Sequence, residues 1–199
     1  MDRRAALQMI VLAAGGSAAA HWLTPELEAL GLEVHAGLTQ TTPFRSFDAG
    51  TAALVSAASE RIIPADDTPG ALAAQVPRFI DKIMADWEDP QNRDRFLSGL
   101  ASLDRDANSR HGRPFAECGP AEQDAMLTGI DDVVSAMPAG ERAAHWFARL
   151  KSLTVYGYCT SDVGMRGELG AWPRPRGYDG NAPYTPRRRG SAGETPWRS

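Results

Sequence analysis

Apolar residues recur every three or four positions from Asp48 to Gly170, and no stretch in this region alternates apolar and polar residues as a strand would. This spacing predicts amphipathic helices that each turn one face towards a shared core. Five helices with short connections give an all-α fold, a compact bundle. The first two are predicted to run from Asp48 or Thr51 to Ile63 and from Thr68 to Trp87. The third begins at Pro90 and ends between Arg110 and Gly112. The last two run from Gly119 to Met137 and from about Ala139 to Tyr156.

Prolines, glycines and capping residues set the predicted helix ends. Pro64 stops the first helix, and Thr68 before Pro69 is typical of an N-cap followed by a first-turn proline. Pro77 should bend the second helix or start it afresh, and Gly157 is a natural stop for the fifth. The predicted core positions are Leu54, Val55, Ala58, Ile62, Val76, Phe79, Ile80, Ile83, Met84, Trp87, Phe96, Leu100, Leu103, Ala107, Met126, Leu127, Ile130, Val133, Val134, Met137, Trp146, Phe147, Leu150, Leu153 and Thr154.

Residues 1–20 have the outline of a twin-arginine export signal. Arg3 and Arg4 precede an apolar run over residues 7–14, and small residues follow up to a plausible cleavage site before His21. The run is too short to span a bilayer. The alternative is a helical N-terminus with two chance arginines. Residues 21–47 then read as a linker with a short helix over residues 25–30.

Residues 171–199 differ in composition from the helical region, residues 48–170. They contain five prolines, four glycines and six arginines, but only one aspartate and one glutamate. So few apolar residues favour an extended tail that does not fold alone. Trp172, Tyr178 and Tyr184 are spaced among the prolines, where they could anchor the tail on a partner. A solvated tail with incidental aromatic residues is the alternative.

Overall composition excludes several classes of protein. Hydrophobic residues make up 43% and charged residues 23% of the chain, as in a soluble globular protein. The net charge of −4 provides no general attraction to a phosphate backbone, which argues against nucleic-acid binding. No dinucleotide, phosphate-loop or metal-ligand motif is present in the sequence, so no cofactor or metal is expected in this chain.

Cysteine usage allows at most one bridge. Cys118 and Cys159 flank the fourth and fifth predicted helices, and an antiparallel pair of helices would bring them to the same level. An internal disulfide, two free thiols, and a bridge from one cysteine to another chain all remain open.

Candidate catalytic residues are few. His145 follows Glu141 by one helical turn, a spacing that could hold an imidazole beside a carboxylate, although a structural histidine is the better interpretation. Asp66 and Asp67 fit a helix cap better than a cation site. Ser161 and Asp162 also resemble a cap, because no histidine lies nearby in sequence to activate the serine.

Three segments in a fixed order carry a family resemblance. They are the turn Ile-Ile-Pro-Ala-Asp-Asp-Thr-Pro-Gly-Ala at residues 62–71, Val-Pro-Arg-Phe-Ile-Asp at 76–81, and the stretch from Trp146 to Gly164 that contains Leu-Lys-Ser-Leu-Thr-Val-Tyr-Gly-Tyr. Over residues 52–170 the chain resembles the gluconate 2-dehydrogenase subunit 3 family, the small subunits of periplasmic flavoprotein sugar dehydrogenases.

The resemblance implies a non-catalytic escort. Such a subunit holds no flavin. Its partner is a large FAD-binding subunit of the glucose-methanol-choline oxidoreductase type, which oxidises sugars, sugar acids or polyols. The two subunits are exported together to the periplasm. Electrons pass to a cytochrome c with haem c, and any contact with the inner membrane is through partners. The alternative function is a stand-alone periplasmic helical enzyme or binding protein that uses His145, Glu141 or the Ser161-Asp162 turn.

Aromatic and hydroxyl groups at the end of the fifth helix and in the tail are the predicted partner contacts. They combine a polar turn with extended aromatic anchors. The set comprises Tyr156, Tyr158, Thr160, Ser161, Trp172, Tyr178 and Tyr184.

Overall fold

The computed structural model describes residues 25–39 and 41–167, and this part of the chain is all-α. It forms eight helices, six of them longer than six residues, with a 3₁₀ turn at Phe115–Glu117. The helices are α1 (Pro25–Ala36), α2 (Ala49–Ile62), α3 (Val76–Asp86), α4 (Pro90–His111), α5 (Pro120–Ser135), α6 (Ala139–Ala144), α7 (Trp146–Cys159) and α8 (Asp162–Gly167). The all-α prediction is confirmed for these residues, although the eight helices outnumber the six predicted, five in the bundle and a short one over residues 25–30. That short helix is present as α1 and extends to Ala36.

The helix ends that carry clear capping signals are confirmed. Asp48 caps α2 by accepting a hydrogen bond from the Thr51 amide at 2.7 Å. Gly112 ends α4 in the left-handed region, with φ 69°, a conformation that favours glycine. Before α5, the Gly119 amide donates to Glu122 at 2.7 Å. Together with the Arg113 guanidinium, that bond holds the pKa of Glu122 below its ordinary value.

The predicted start of the second helix is wrong. Thr68 does not cap a helix, because its amide and hydroxyl both donate to Asp66 and close a tight turn. The chain continues through further turns to Gln75, whose φ of 57° lies in the left-handed region. Helix α3 begins only at Val76, with Pro77 in its first turn. Of the two outcomes foreseen for Pro77, the fresh start is the correct one.

The fifth predicted helix is two helices, α6 and α7. His145 between them has an extended conformation, and its Nδ1 accepts a hydrogen bond from the Phe147 amide at 3.2 Å. The imidazole therefore caps α7 and is not held by Glu141, whose side chain is exposed. Helix α7 also continues past Gly157 to Cys159, so the predicted stop at Gly157 is wrong.

Helix α7 is the central element of the core. It contacts α2, α3, α4, α5, α6 and α8, and Leu150, Leu153 and Tyr158 on it are buried. Nearly all predicted core positions are buried or half-buried, but Trp87 and Val133 are exposed, at 47% and 60%. No helix among the described residues is long and apolar enough to cross a membrane.

Candidate functional site

The three segments that carry the family resemblance meet around the C-terminal half of α7. Tyr158 is fully buried, and its hydroxyl donates to the Pro69 carbonyl oxygen at 3.0 Å. This bond joins the turn after α2 to the end of α7 across 89 residues of sequence. A buried phenol needs such a partner, because an unsatisfied hydroxyl is costly inside a protein.

Gly157 allows α7 to approach α3 closely. A Cβ atom at this position would lie 2.7 Å from Cδ1 of Phe79, which is itself fully buried. The ring of His35 stacks on Phe79 at 4.8 Å between centroids, and its Nε2 donates to the Gly157 carbonyl oxygen at 2.7 Å. Burial lowers the pKa of His35 below its ordinary value, against the opposing effect of the Gly157 hydrogen bond. Helices α1, α3 and α7 are thus joined at one point.

Thr160 and Ser161 have internal roles. Ser161 donates to the Tyr158 carbonyl at 2.6 Å and accepts from the Gly164 amide at 2.9 Å, so it caps α8. The prediction that this serine is a cap is confirmed. Thr160 packs against Gly31, where an added Cβ would lie 2.6 Å from its Oγ1. Both side chains and Tyr158 are buried within this chain, and their contact with a partner stays a prediction.

Tyr156 lies closer to the surface. It is half-buried, its ring packs edge-on against Phe79 at 5.4 Å, and burial raises its pKa. Of the four predicted partner contacts in the described region, it is the only one that is not buried.

Two carboxylates that sequence reasoning did not single out hold the backbone around this region. Glu60 accepts from the amides of Ala65 and Leu72, at 3.0 and 2.9 Å, and so closes the loop after α2. Asp81, only 3% exposed, accepts three amide hydrogen bonds within 2.9 Å, from residues 45, 46 and 47. The signal for Asp81 was a single acid on an otherwise apolar helix face.

The remaining candidates are not brought together into a reactive cluster. Cys118 is buried with its thiol against the Pro114 carbonyl, and Cys118 and Cys159 are not joined to each other. The carboxylate of Asp66 accepts from Thr68, so Asp66 caps a turn and not a helix. Within residues 25–39 and 41–167 no three His, Cys, Asp or Glu side chains are grouped as a metal site would need.

An exposed tryptophan lies at the opposite end of α3. Trp87 follows the last helical residue, with Lys82 Nζ 5.9 Å from its ring centroid. Glu88, the next residue in sequence, lines a surface cleft of about 210 Å³ together with Trp146 and Arg149, among others. Lys82 lines a second cleft of about 130 Å³ together with Arg45 and Arg78, among others.

The remaining predicted functional residues lie outside the described part of the chain. They are Arg3 and Arg4 of the export signal and Trp172, Tyr178 and Tyr184 of the tail.

Comparison with known proteins identifies the family. The family model described as gluconate 2-dehydrogenase subunit 3 matches residues 49–180, a range that contains α2 to α8. The chain belongs to this family, as its motifs indicated, and is thereby a small subunit of a dehydrogenase complex. Neither a curated protein nor a solved structure gives a significant match.

Proposed function

We propose that this chain, as a member of the gluconate 2-dehydrogenase subunit 3 family, is a non-catalytic small subunit that escorts and stabilises a large FAD-dependent dehydrogenase. The observation that carries the proposal is the family match over residues 49–180. The large subunit is of the glucose-methanol-choline oxidoreductase type and oxidises a sugar, a sugar acid or a polyol. It passes electrons to a cytochrome c that contains haem c.

The structural roles of the candidate catalytic groups support the non-catalytic assignment. A general base needs a nitrogen free to take a proton from substrate. His145 accepts the Phe147 amide at Nδ1 to cap α7, so the ring nitrogen that could take a proton is engaged within the chain. Ser161 is buried and bonded on both sides within the chain. These groups stabilise helices, which is the role expected of a scaffold.

Export with the large subunit is the second part of the proposal. The motivation is the Arg3-Arg4 pair before a short apolar run, together with the family membership. The twin-arginine route carries folded proteins, so one signal can serve a complex that assembles before transport. The mature complex then works in the periplasm, and the tail adds Trp172, Tyr178 and Tyr184 to its contacts.

The test is to change Arg3 and Arg4 to lysine and to measure both subunits in cytoplasmic and periplasmic fractions. Both should stay in the cytoplasm, because lysine keeps the charge but not the paired arginine. The control makes the same change at Arg174 and Arg176, which should leave export unchanged. Normal periplasmic levels of both subunits in the first variant contradict the escort proposal.

A further inference from the structure

Trp87 is unusual among the exposed residues. Four large apolar side chains in the described part of the chain are exposed, and Trp87 is the only aromatic one among them. Its indole is 47% exposed, although tryptophan normally buries most of its surface. Tryptophan and arginine are the side chains most enriched at the centres of protein interfaces.

Two clefts are lined by neighbours of Trp87, one by Glu88, which follows it in sequence, and one by Lys82, whose Nζ lies 5.9 Å from its ring centroid. In the larger cleft, Glu88 forms an ion pair with Arg149 at 2.5 Å, and its side chain is only 8% exposed. Beside the smaller cleft, Asp81 fixes the backbone of residues 45–47 through three amide hydrogen bonds. Walls that are already ordered reduce the entropy lost when a partner binds.

The charge of this region is opposite to that of the whole chain. The cleft linings and the Arg45–Asp86 pair include five cations and three carboxylates, whereas the chain has a net charge of −4. Asp81 accepts three backbone amides, and the Arg149–Glu88 and Arg45–Asp86 ion pairs engage two of the five cations. Arg78, Lys82 and Arg95 therefore carry the excess positive charge. The cations are Arg45, Arg78, Lys82, Arg95 and Arg149.

We propose that Trp87 and the two clefts lined by Glu88 and Lys82, together called the Trp87 surface, form a docking site for the large dehydrogenase subunit. The complementary partner segment is acidic and carries an apolar side chain that packs on the indole, since opposite charges across an interface guide and orient association. This inference rests on the proposed function. It places a contact at the end of α3 remote from Tyr158, whose own side chain is enclosed in this chain.

The experiment coexpresses the full chain with its large FAD-binding subunit, and measures the dissociation constant of the purified flavoprotein for each variant. Trp87→Ala should weaken binding about tenfold or more. Leu72→Ala is the matched control, because Leu72 is also 47% exposed but lies in the loop after α2. It should bind as the wild type does.

A second pair of variants tests charge. Lys82→Glu should weaken binding and make it less sensitive to salt, whereas Arg105→Glu on an exposed position of α4 should change neither. Thermal melts of all four variants separate loss of binding from loss of fold.

The outcomes distinguish the two proposals. If the wild-type chain does not bind the flavoprotein, the proposed function fails and this inference fails with it. If the wild type binds and both Trp87→Ala and Lys82→Glu bind equally well, only the docking site is refuted. If Trp87→Ala instead converts a dimer of this chain to monomers with flavoprotein binding intact, the surface is a self-interface and the inference is wrong.

Discussion

Replacing Gly157 with alanine tests the close contact between α3 and α7. The added methyl carbon would lie 2.7 Å from Cδ1 and 3.0 Å from Cγ of Phe79. Phe79 cannot move aside easily, because it is fully buried between His35 and Tyr156. Overpacking of this kind costs about 1–3 kcal/mol, and the better helix propensity of alanine returns up to about 1 kcal/mol. We expect a net loss of about 1–2 kcal/mol.

The assay is thermal unfolding followed by circular dichroism. A loss of this size lowers the Tm by about 2–8 °C for a chain of this length. Gly129→Ala is the matched control, because Gly129 also lies within a helix but a Cβ there would meet nothing within 4 Å. That variant should gain up to about 1 kcal/mol. A Gly157→Ala chain that melts at or above the temperature of Gly129→Ala refutes the close approach of α3 and α7.

Two further predictions concern buried polar groups. Asp81→Asn should lower the free energy of unfolding in urea by about 1–3 kcal/mol, because the new NH2 group replaces one carboxylate oxygen and faces at least one backbone N–H donor. Asp86→Asn loses only a surface ion pair with Arg45 and should cost under about 1 kcal/mol. Equal losses would contradict the anchoring role of Asp81. The folded-state pKa of His35 is lowered by burial below its ordinary 6.5, so the unfolded chain binds the proton more readily and stability should fall as the pH drops below about 6.5. The Tm of His35→Gln should fall less between pH 7.5 and 5.5 than that of the wild type. If the Tm of both proteins falls equally with pH, His35 is not the source of the pH dependence.

Local sequence signals predicted the fold where local bonds decide it. Asp48, Gly112 and the Gly119-Pro120 pair carry their own capping chemistry, and the helices they bound are correct. The start of α3 failed because distant groups control the loop before it. In this loop Glu60 accepts hydrogen bonds from two backbone amides, and the Tyr158 hydroxyl donates to the Pro69 carbonyl. These distant bonds override the local cap at Thr68.

Apolar spacing also fails to predict burial for a residue just past a helix end and for two adjacent apolar residues on one helix. Trp87 fits the apolar spacing of α3, but the helix ends at Asp86, and Trp87 has φ −129° outside the helical register. Its side chain therefore leaves the buried face. Val133 and Val134 are about 100° apart on one helix, so both cannot face the same core, and Val134 is the buried one. The docking site proposed at Trp87 thus depends on where α3 ends, which the apolar spacing alone does not show.

The motif residues that carry the family resemblance are buried and define the scaffold of the helical bundle. Phe79, Asp81, Gly157 and Tyr158 all lie in the segments that carry the resemblance, and all are buried. Their bonds and contacts fix the approach of α3 to α7 and the path of the loop after α2. Truncating Phe79 or Tyr158 would leave a cavity in this scaffold, and removing the Asp81 carboxylate would leave backbone N–H groups unpaired. At the docking site proposed above, by contrast, Trp87 is exposed and Lys82 is half-buried, so substitutions there leave these scaffold contacts intact.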